Sequence, residues 1–343
     1  MPPQNTGVAA PEDLRDRKLD SSKSDAKKDV KGDSEEWNYW DHLYPVNIFW
    51  FILLHVGAAY GLKLAITDAK FVTTLYAILV YKFSLFGITA GVHRLWSHRA
   101  YKARFPLRVF LAMCNSLSYQ NSVYEWARDH RVHHKYTETN ADPVNSKRGF
   151  FFSHVGWLLC KKHPDVQRIG GKVDMSDILA DPVVFYQRKY YIPSVISLCF
   201  VMPTVVPWYF WGETLWNAYF VAVVLRYCLA LNATWLVNSA AHMFGDRPYD
   251  KNIAPAENRI VSALTLGEGF HNFHHTFPWE YSTSEWGWKI NLTTIALDFF
   301  EKVGLIYDVK RVTPEMIKAR MARTGRHGHE VVEEHEYMWI DKK

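Results

Sequence analysis

Four stretches of the chain are apolar for long enough to cross a bilayer, which takes about 20 residues. The first runs from about Asn47 to Thr67, and the second from about Phe71 to Val92, broken only by Lys82. The third, about Tyr190 to Trp211, carries Pro193, Pro203 and Pro207, which predict a bend. The fourth, about Thr214 to Val237, holds Arg226 near its middle. Charge inside a bilayer is costly, so Arg226 is either functional or a partner for another polar group of the bundle. Two shorter apolar runs, about Pro106 to Tyr119 and Phe150 to Cys160, cannot span and are expected as helices in the interface.

The spacing sets the topology. Asp68, Ala69 and Lys70 alone separate the first two spans, and a few residues near Gly212 separate the last two. Two tight hairpins follow, with everything else on one side. That side carries most of the Lys and Arg, which makes it cytosolic. The expected fold is therefore an all-α integral membrane protein with a helical cap built from residues 93–189 and 238–312. The membrane unit covers residues 37–312. Residues 1–36 hold no Trp, Tyr or Phe and are expected to be a disordered tail without a secretory signal; 313–343 are expected to be a loosely held charged tail.

A formal net charge of +5 is too small to point to nucleic acid, but fits a neighbour of anionic head groups or a binder of phosphate. Cys114, Cys160, Cys199 and Cys228 are far apart and form no CxxC pair, so they read as free core thiols.

Histidine changes the picture most. Eight of the sixteen fall into three motifs: HRLWSH (His93, His98), HRVHH (His130, His133, His134) and HNFHH (His271, His274, His275). A ninth, His242, ends the run Asn238-Ser239-Ala240-Ala241-His242. Positions i, i+3 and i+4 share a helix face, so each H-x-x-H-H motif presents a fan of imidazoles in one direction. His93 and His98, five apart, do not share an α-helical face, so the helix is expected to end or bend between them. All nine emerge on the cytosolic side of the spans. Imidazole suits iron, zinc and copper, and nine ligands are too many for one ion and about right for two. His42, His55, His154 and His163 are isolated and read as structural, and His327, His329 and His335 fall in the C-terminal tail.

From about Asn47 to Gly325 the chain resembles the membrane acyl-CoA desaturases of the stearoyl-CoA desaturase type. The resemblance rests on GITAGVHRLWSHRAYKA, NSVYEWARDHRVHHKYTETNADP, RGFFFSHVGWLLC, NATWLVNSAAHMFGDRPYDKNI and GEGFHNFHHTFPWEY. It implies two irons held by the nine histidines, with Asn238 touching one of them through water. It implies a reaction in which dioxygen and two electrons remove two hydrogens from adjacent methylenes, most commonly at delta-9 of palmitoyl-CoA or stearoyl-CoA, leaving a cis double bond. No HPGG motif is present and His271, rather than Gln, opens the third box, so electrons are expected from a separate cytochrome b5 and its reductase. The resemblance places the protein in the endoplasmic reticulum membrane. It assigns Arg128, Asp129, Lys161 and Lys162 to coenzyme A, and Asn47, Asn121 and Trp235 to the polar linker. At 161–162 the family usually has Arg-Lys, whereas this chain has Lys-Lys, which keeps the charge but weakens any bidentate contact. Gln120 and Trp126 match the bend of an acyl tunnel, and Tyr81 and Leu85 its closed end. Leu85 stands where a smaller residue is common, which predicts a short tunnel. The competing readings are a desaturase of other regiospecificity, a histidine-box hydroxylase and, more remotely, a metal carrier whose ligands would lie on the spans themselves.

Overall fold

The computed structural model describes residues 37–286 and 291–326. The tail expected over 1–36, and His327, His329 and His335, lie outside the described residues. Four helices are long and apolar enough to cross a membrane: Pro45–Thr67, Phe71–Ser97, Tyr191–Trp211 and Leu215–Met243. The second and fourth run past their expected ends. Their extensions are polar but enclosed by protein, so hydropathy fades before the helix does.

Three spans change pitch along their length. Gly87–Ser97, Ile196–Val201 and Tyr219–Leu225 are π-helical, with wider turns than the α-helix they interrupt. In the third span the wide turn lies between Pro193 and Pro203, whose missing N–H groups weaken the α ladder. In the second span it carries the first histidine box. The helix ends between His93 and His98, at Ser97, as the five-residue spacing predicts, and His98 is its C-cap. Its last turns are wide, and the capping His98 N–H donates to the His93 carbonyl at 3.1 Å.

Both hairpin turns lie at one end of the bundle and are fastened together there. Buried Glu213 accepts from Lys70 N at 2.8 Å and Thr73 Oγ1 at 2.7 Å, while Lys70 Nζ donates to the Trp211 and Gly212 carbonyls. Close crossings elsewhere depend on glycine. A Cβ on Gly61 would lie 2.3 Å from the Phe220 carbonyl oxygen, and one on Gly87 would lie 2.3 Å from Asn115 N. Gly87 thereby lets helix Phe105–Ser118 touch the second span. That helix buries Leu107 and Leu111 and exposes Phe105 and Phe110, an amphipathic arrangement.

Arg226 is fully buried and acts as a structural partner. Its guanidinium donates to the carbonyls of Leu117 (3.1 Å), Cys199 (3.0 Å) and Ala222 (3.2 Å). The four cysteines are free and buried. Among the described residues the only sheet is a two-residue antiparallel ladder, Lys102–Ala103 against Ile306–Tyr307.

The C-terminal expectation needs correction. Pro314–Thr324 is a helix rather than a loose tail. Thr313 caps it and Pro314 starts it, and Ile317 and Met321 bury one face against Tyr249, Phe273 and Phe277. A short charged helix with only two buried apolar residues leaves little trace in hydropathy.

Candidate metal centre

The nine histidines converge at the end of the bundle away from the two turns, and they divide. His93, His98, His130, His134 and His274 form one group; His133, His242, His271 and His275 form another, and within each group one ring nitrogen per residue lies within 4.8 Å of all the others. The two H-x-x-H-H motifs contribute reciprocally. On helix Val123–Tyr136, His130 and His134 serve the first group and His133 the second. On helix His271–Thr276, His271 and His275 serve the second group and His274 the first. Each box therefore does not aim its fan at one point. It straddles two, because i and i+4 point slightly apart from i+3. The wide π turn brings His93 and His98 together after all, with ring centroids 4.9 Å apart.

Hydrogen bonding does not account for this packing. His274 Nε2 lies 2.9 Å from His93 Nε2 and 3.0 Å from His134 Nε2, and His271 Nε2 lies 3.0 Å from His242 Nε2 and 3.1 Å from His275 Nε2. An imidazole nitrogen has one N–H or one lone pair, so it makes one such bond and not two. Nitrogens each about 2.1 Å from a common ion lie about 3.0–3.4 Å apart, close to what is seen. His133 gives a second sign: its Nδ1 contacts Asp142 Oδ1 at 2.9 Å, while its buried Nε2 has no hydrogen-bond partner. The residues fit a metal ion in each group.

Carboxylates behind the ligands orient the rings, the usual outer support of a metal-binding histidine. His93 Nδ1 lies 2.8 Å from Glu268 Oε2, and buried Arg94 grips Glu268 Oε1 through Nε (3.1 Å) and Nη2 (2.8 Å). Burial opposes ionisation of Glu268, but the Arg94 guanidinium and the hydrogen bonds from His93 and Arg94 outweigh it and hold its carboxyl at about 2. Glu138 approaches His242 Nδ1 at 3.8 Å. Burial first, and neighbouring imidazoles second, keep His98, His130, His134, His271, His274 and His275 well below the ordinary imidazole range. They stay neutral, as ligands must.

Sequence reasoning missed Arg94, Glu268, Asp142 and Glu138. Arg94 and Glu268 lie inside or just before a box, but their pairing spans 174 residues and no local pattern reports it. Of the isolated histidines, His154 bonds Ser239 Oγ (3.0 Å) and Asn232 Oδ1 (3.2 Å), His55 faces the Phe51 carbonyl, His42 stacks on Trp37, and His163 caps a helix. None joins the two groups.

A cavity of about 870 Å³ reaches both groups, at His130 of the first and His133 of the second. Asn47, Gln120, Asn121, Trp126, Asp129, Trp235 and Asn238 all line it, among aromatic and aliphatic side chains. Gln120 Nε2 donates to Thr234 Oγ1 at 3.1 Å across its wall. A second pocket of about 40 Å³ shares Trp126 and Thr234 with that cavity and is lined also by His93, His271 and Leu85. Tyr81 is not among the residues lining either space, and its hydroxyl donates to the Leu264 carbonyl at 2.7 Å. Arg128, Lys161 and Lys162 are not among the residues lining either space, but Arg128 and Lys162 both pair with Asp129, which lines the larger one. Lys161 is exposed, and its backbone N–H donates to the His42 carbonyl.

Comparison with known proteins agrees. Residues 69–286 match the fatty acid desaturase family model. A house cricket (Acheta domesticus) protein named acyl-CoA Delta12-desaturase is 54% identical over 98% of this chain and 92% of its own length. Human (Homo sapiens) stearoyl-CoA desaturase is 56% identical over 88% of this chain and 86% of its own. Bovine (Bos taurus) stearoyl-CoA desaturase 5 is 58% identical over 81% and 83%. With four membrane-spanning helices, paired histidine groups and these relatives, the chain belongs to the fatty acid desaturase family and is a multi-pass membrane oxidoreductase.

Proposed function

We propose that this protein is an acyl-CoA desaturase that introduces a cis double bond, at delta-9, into palmitoyl-CoA or stearoyl-CoA. The observation that carries this reading is an apolar cavity that reaches one histidine of each group, His130 and His133, and shares those walls with an inner pocket beside His93 and His271. Arg128, Lys161 and Lys162 would meet the phosphates of coenzyme A, with Asp129 fixing two of those cations until they are needed. Asn47, Asn121 and Trp235 would line the polar linker. Trp126, Gln120 and Thr234 would hold the acyl chain where it turns, and Leu85, with Tyr81 behind it, would stop its far end.

The nine histidines would hold two iron ions, with Asn238 beside the second group. An iron pair, given dioxygen and two electrons, supplies an oxidant strong enough for a methylene that has no acidic proton. The overall reaction removes two hydrogen atoms from adjacent carbons and, with two electrons and two protons, reduces dioxygen to two waters. The chain's own task is to fix one pair of carbons beside the metals, bent as a cis product requires, and to keep water out. Electrons would come from cytochrome b5 and its reductase. The charge asymmetry about the spans supports a cytosolic active site at the endoplasmic reticulum membrane, with both termini on that side.

The cricket relative's name favours a second reading, desaturation at delta-12. Expression in a yeast strain lacking its own acyl-CoA desaturase, with double bonds located by derivatisation and mass spectrometry, separates the two. Palmitoleate or oleate, absent with His271→Ala, is the expected result. A bond elsewhere would keep the chemistry and overturn the position. Well-expressed protein giving no unsaturated product would leave a hydroxylase or a metal carrier as the better reading.

A further inference from the structure

Helix His271–Thr276 supplies three of the nine ligands and touches both histidine groups, yet it has six residues, far too few to be stable alone. Its front carries His271, His274 and His275. Its back is held by contacts that the ligand set does not explain. Asn272, fully buried, uses all its hydrogen-bonding capacity on one loop: Oδ1 accepts from Tyr249 N (2.9 Å) and Asp250 N (3.1 Å), and Nδ2 donates to the Asp250 and Pro255 carbonyls (both 2.9 Å). Phe273 packs on Tyr249 with centroids 5.1 Å apart.

That loop is held in turn by the C-terminal helix. Arg320 Nη2 donates to Asp250 Oδ2 at 2.6 Å, with both side chains buried. Thr324 Oγ1 donates to the Tyr249 carbonyl at 2.7 Å, and Lys251 N donates to the Thr324 carbonyl at 2.9 Å. Ile317 and Met321 fill the space beside Phe273 and Phe277. The helix lies outside residues 69–286, the part matched by the family model.

We infer that Arg320 is a positioning residue for the metal centre: through Asp250 and Asn272 the C-terminal helix sets the placement of His271, His274 and His275. The inference rests on reading the histidine groups as a metal centre and is independent of the acyl substrate. Breaking a buried pair leaves its partner's charge exposed to a low-dielectric site, so the loop is released rather than merely loosened.

The test is metal retention by full-length protein in detergent micelles. Iron-loaded protein is challenged with a chelator and the iron left on the chain is measured over time by elemental analysis. Hydrogen exchange reports the 271–277 segment and the spans separately. Arg320→Gln should lose iron at least about tenfold faster, the scale of lost outer support at a metal site, with exchange rising in 271–277 and unchanged in the spans. Asp250→Asn should behave alike, and combining the two should be no worse than either alone. Arg320→Lys should restore most of the retention, and exposed Glu315→Gln should match the wild type. If Arg320→Gln expresses poorly, Thr324→Val, which removes only one hydroxyl, should give a smaller change in the same direction. Wild-type retention in Arg320→Gln, or faster exchange throughout the chain, would overturn the inference. Wild-type protein that binds no iron would overturn the metal-centre reading and the inference with it.

Discussion

His134 and His275, the last histidines of their respective boxes, stack face to face with centroids 4.1 Å apart and planes 13° from parallel. They belong to different groups, so this contact is the seam between the two metal positions. Two imidazolium rings would repel at that distance, and burial keeps both neutral.

The seam allows the two positions to be separated experimentally. His134→Ala leaves four imidazoles in its group, whereas His275→Ala leaves three. Bound iron, measured by elemental analysis, should fall further in His275→Ala, and each variant should keep the ion of the untouched group. Complete loss of iron from both single variants would show that the two positions fill only together.

Leu85 lines the inner pocket and is 1% exposed. Leu85→Ala should shift the products from sixteen- toward eighteen-carbon chains, read by gas chromatography of the yeast lipids. Removing the side chain costs about 2–5 kcal/mol where the space stays empty, so a lower melting temperature should accompany the shift, and a long acyl chain should partly restore it. An unchanged product profile would sink the assignment of Leu85 as the tunnel's stop.

Glu257, which is not itself a ligand, gives a pH dependence of stability. Its Oε1 accepts from Phe273 N at 2.8 Å, its Oε2 is buried without a hydrogen-bond partner, and burial pushes its carboxyl up from 4.5 to about 8. Between those values the folded chain holds a proton that the unfolded chain releases. The stability this provides is present below about pH 4.5 and is lost as pH rises through about 8. Glu257→Gln does not titrate, so its melting temperature should gain on the wild type as pH climbs from 5 to 8. A constant difference over that range would refute the assignment.

What the sequence disclosed follows from what is local. The spans are continuous runs of apolar residues, and the boxes are short strings, so both were visible. The pairing of His93 with Glu268, the split of each box between two positions, and the guanidinium of Arg226 among distant carbonyls depend on contacts between remote segments. Two further features were hidden for other reasons. A π turn and an α turn have the same hydropathy, so the helix end between His93 and His98 was legible but the wide pitch of its last turns was not. The C-terminal helix buries so few apolar residues that its charge dominated the pattern, and the segment read as a loose tail.

The acceptors of Arg226 bear on how the protein is made. Leu117, Cys199 and Ala222 all precede it in the chain, so each has been synthesised before the arginine appears. A lone arginine at mid-helix costs about 2.5–3.5 kcal/mol to leave in lipid. One of its three carbonyls belongs to the cap and another to the neighbouring span. The last hydrophobic helix therefore settles only once both are in place, which makes its final seating a checkpoint on the assembly of everything translated before it.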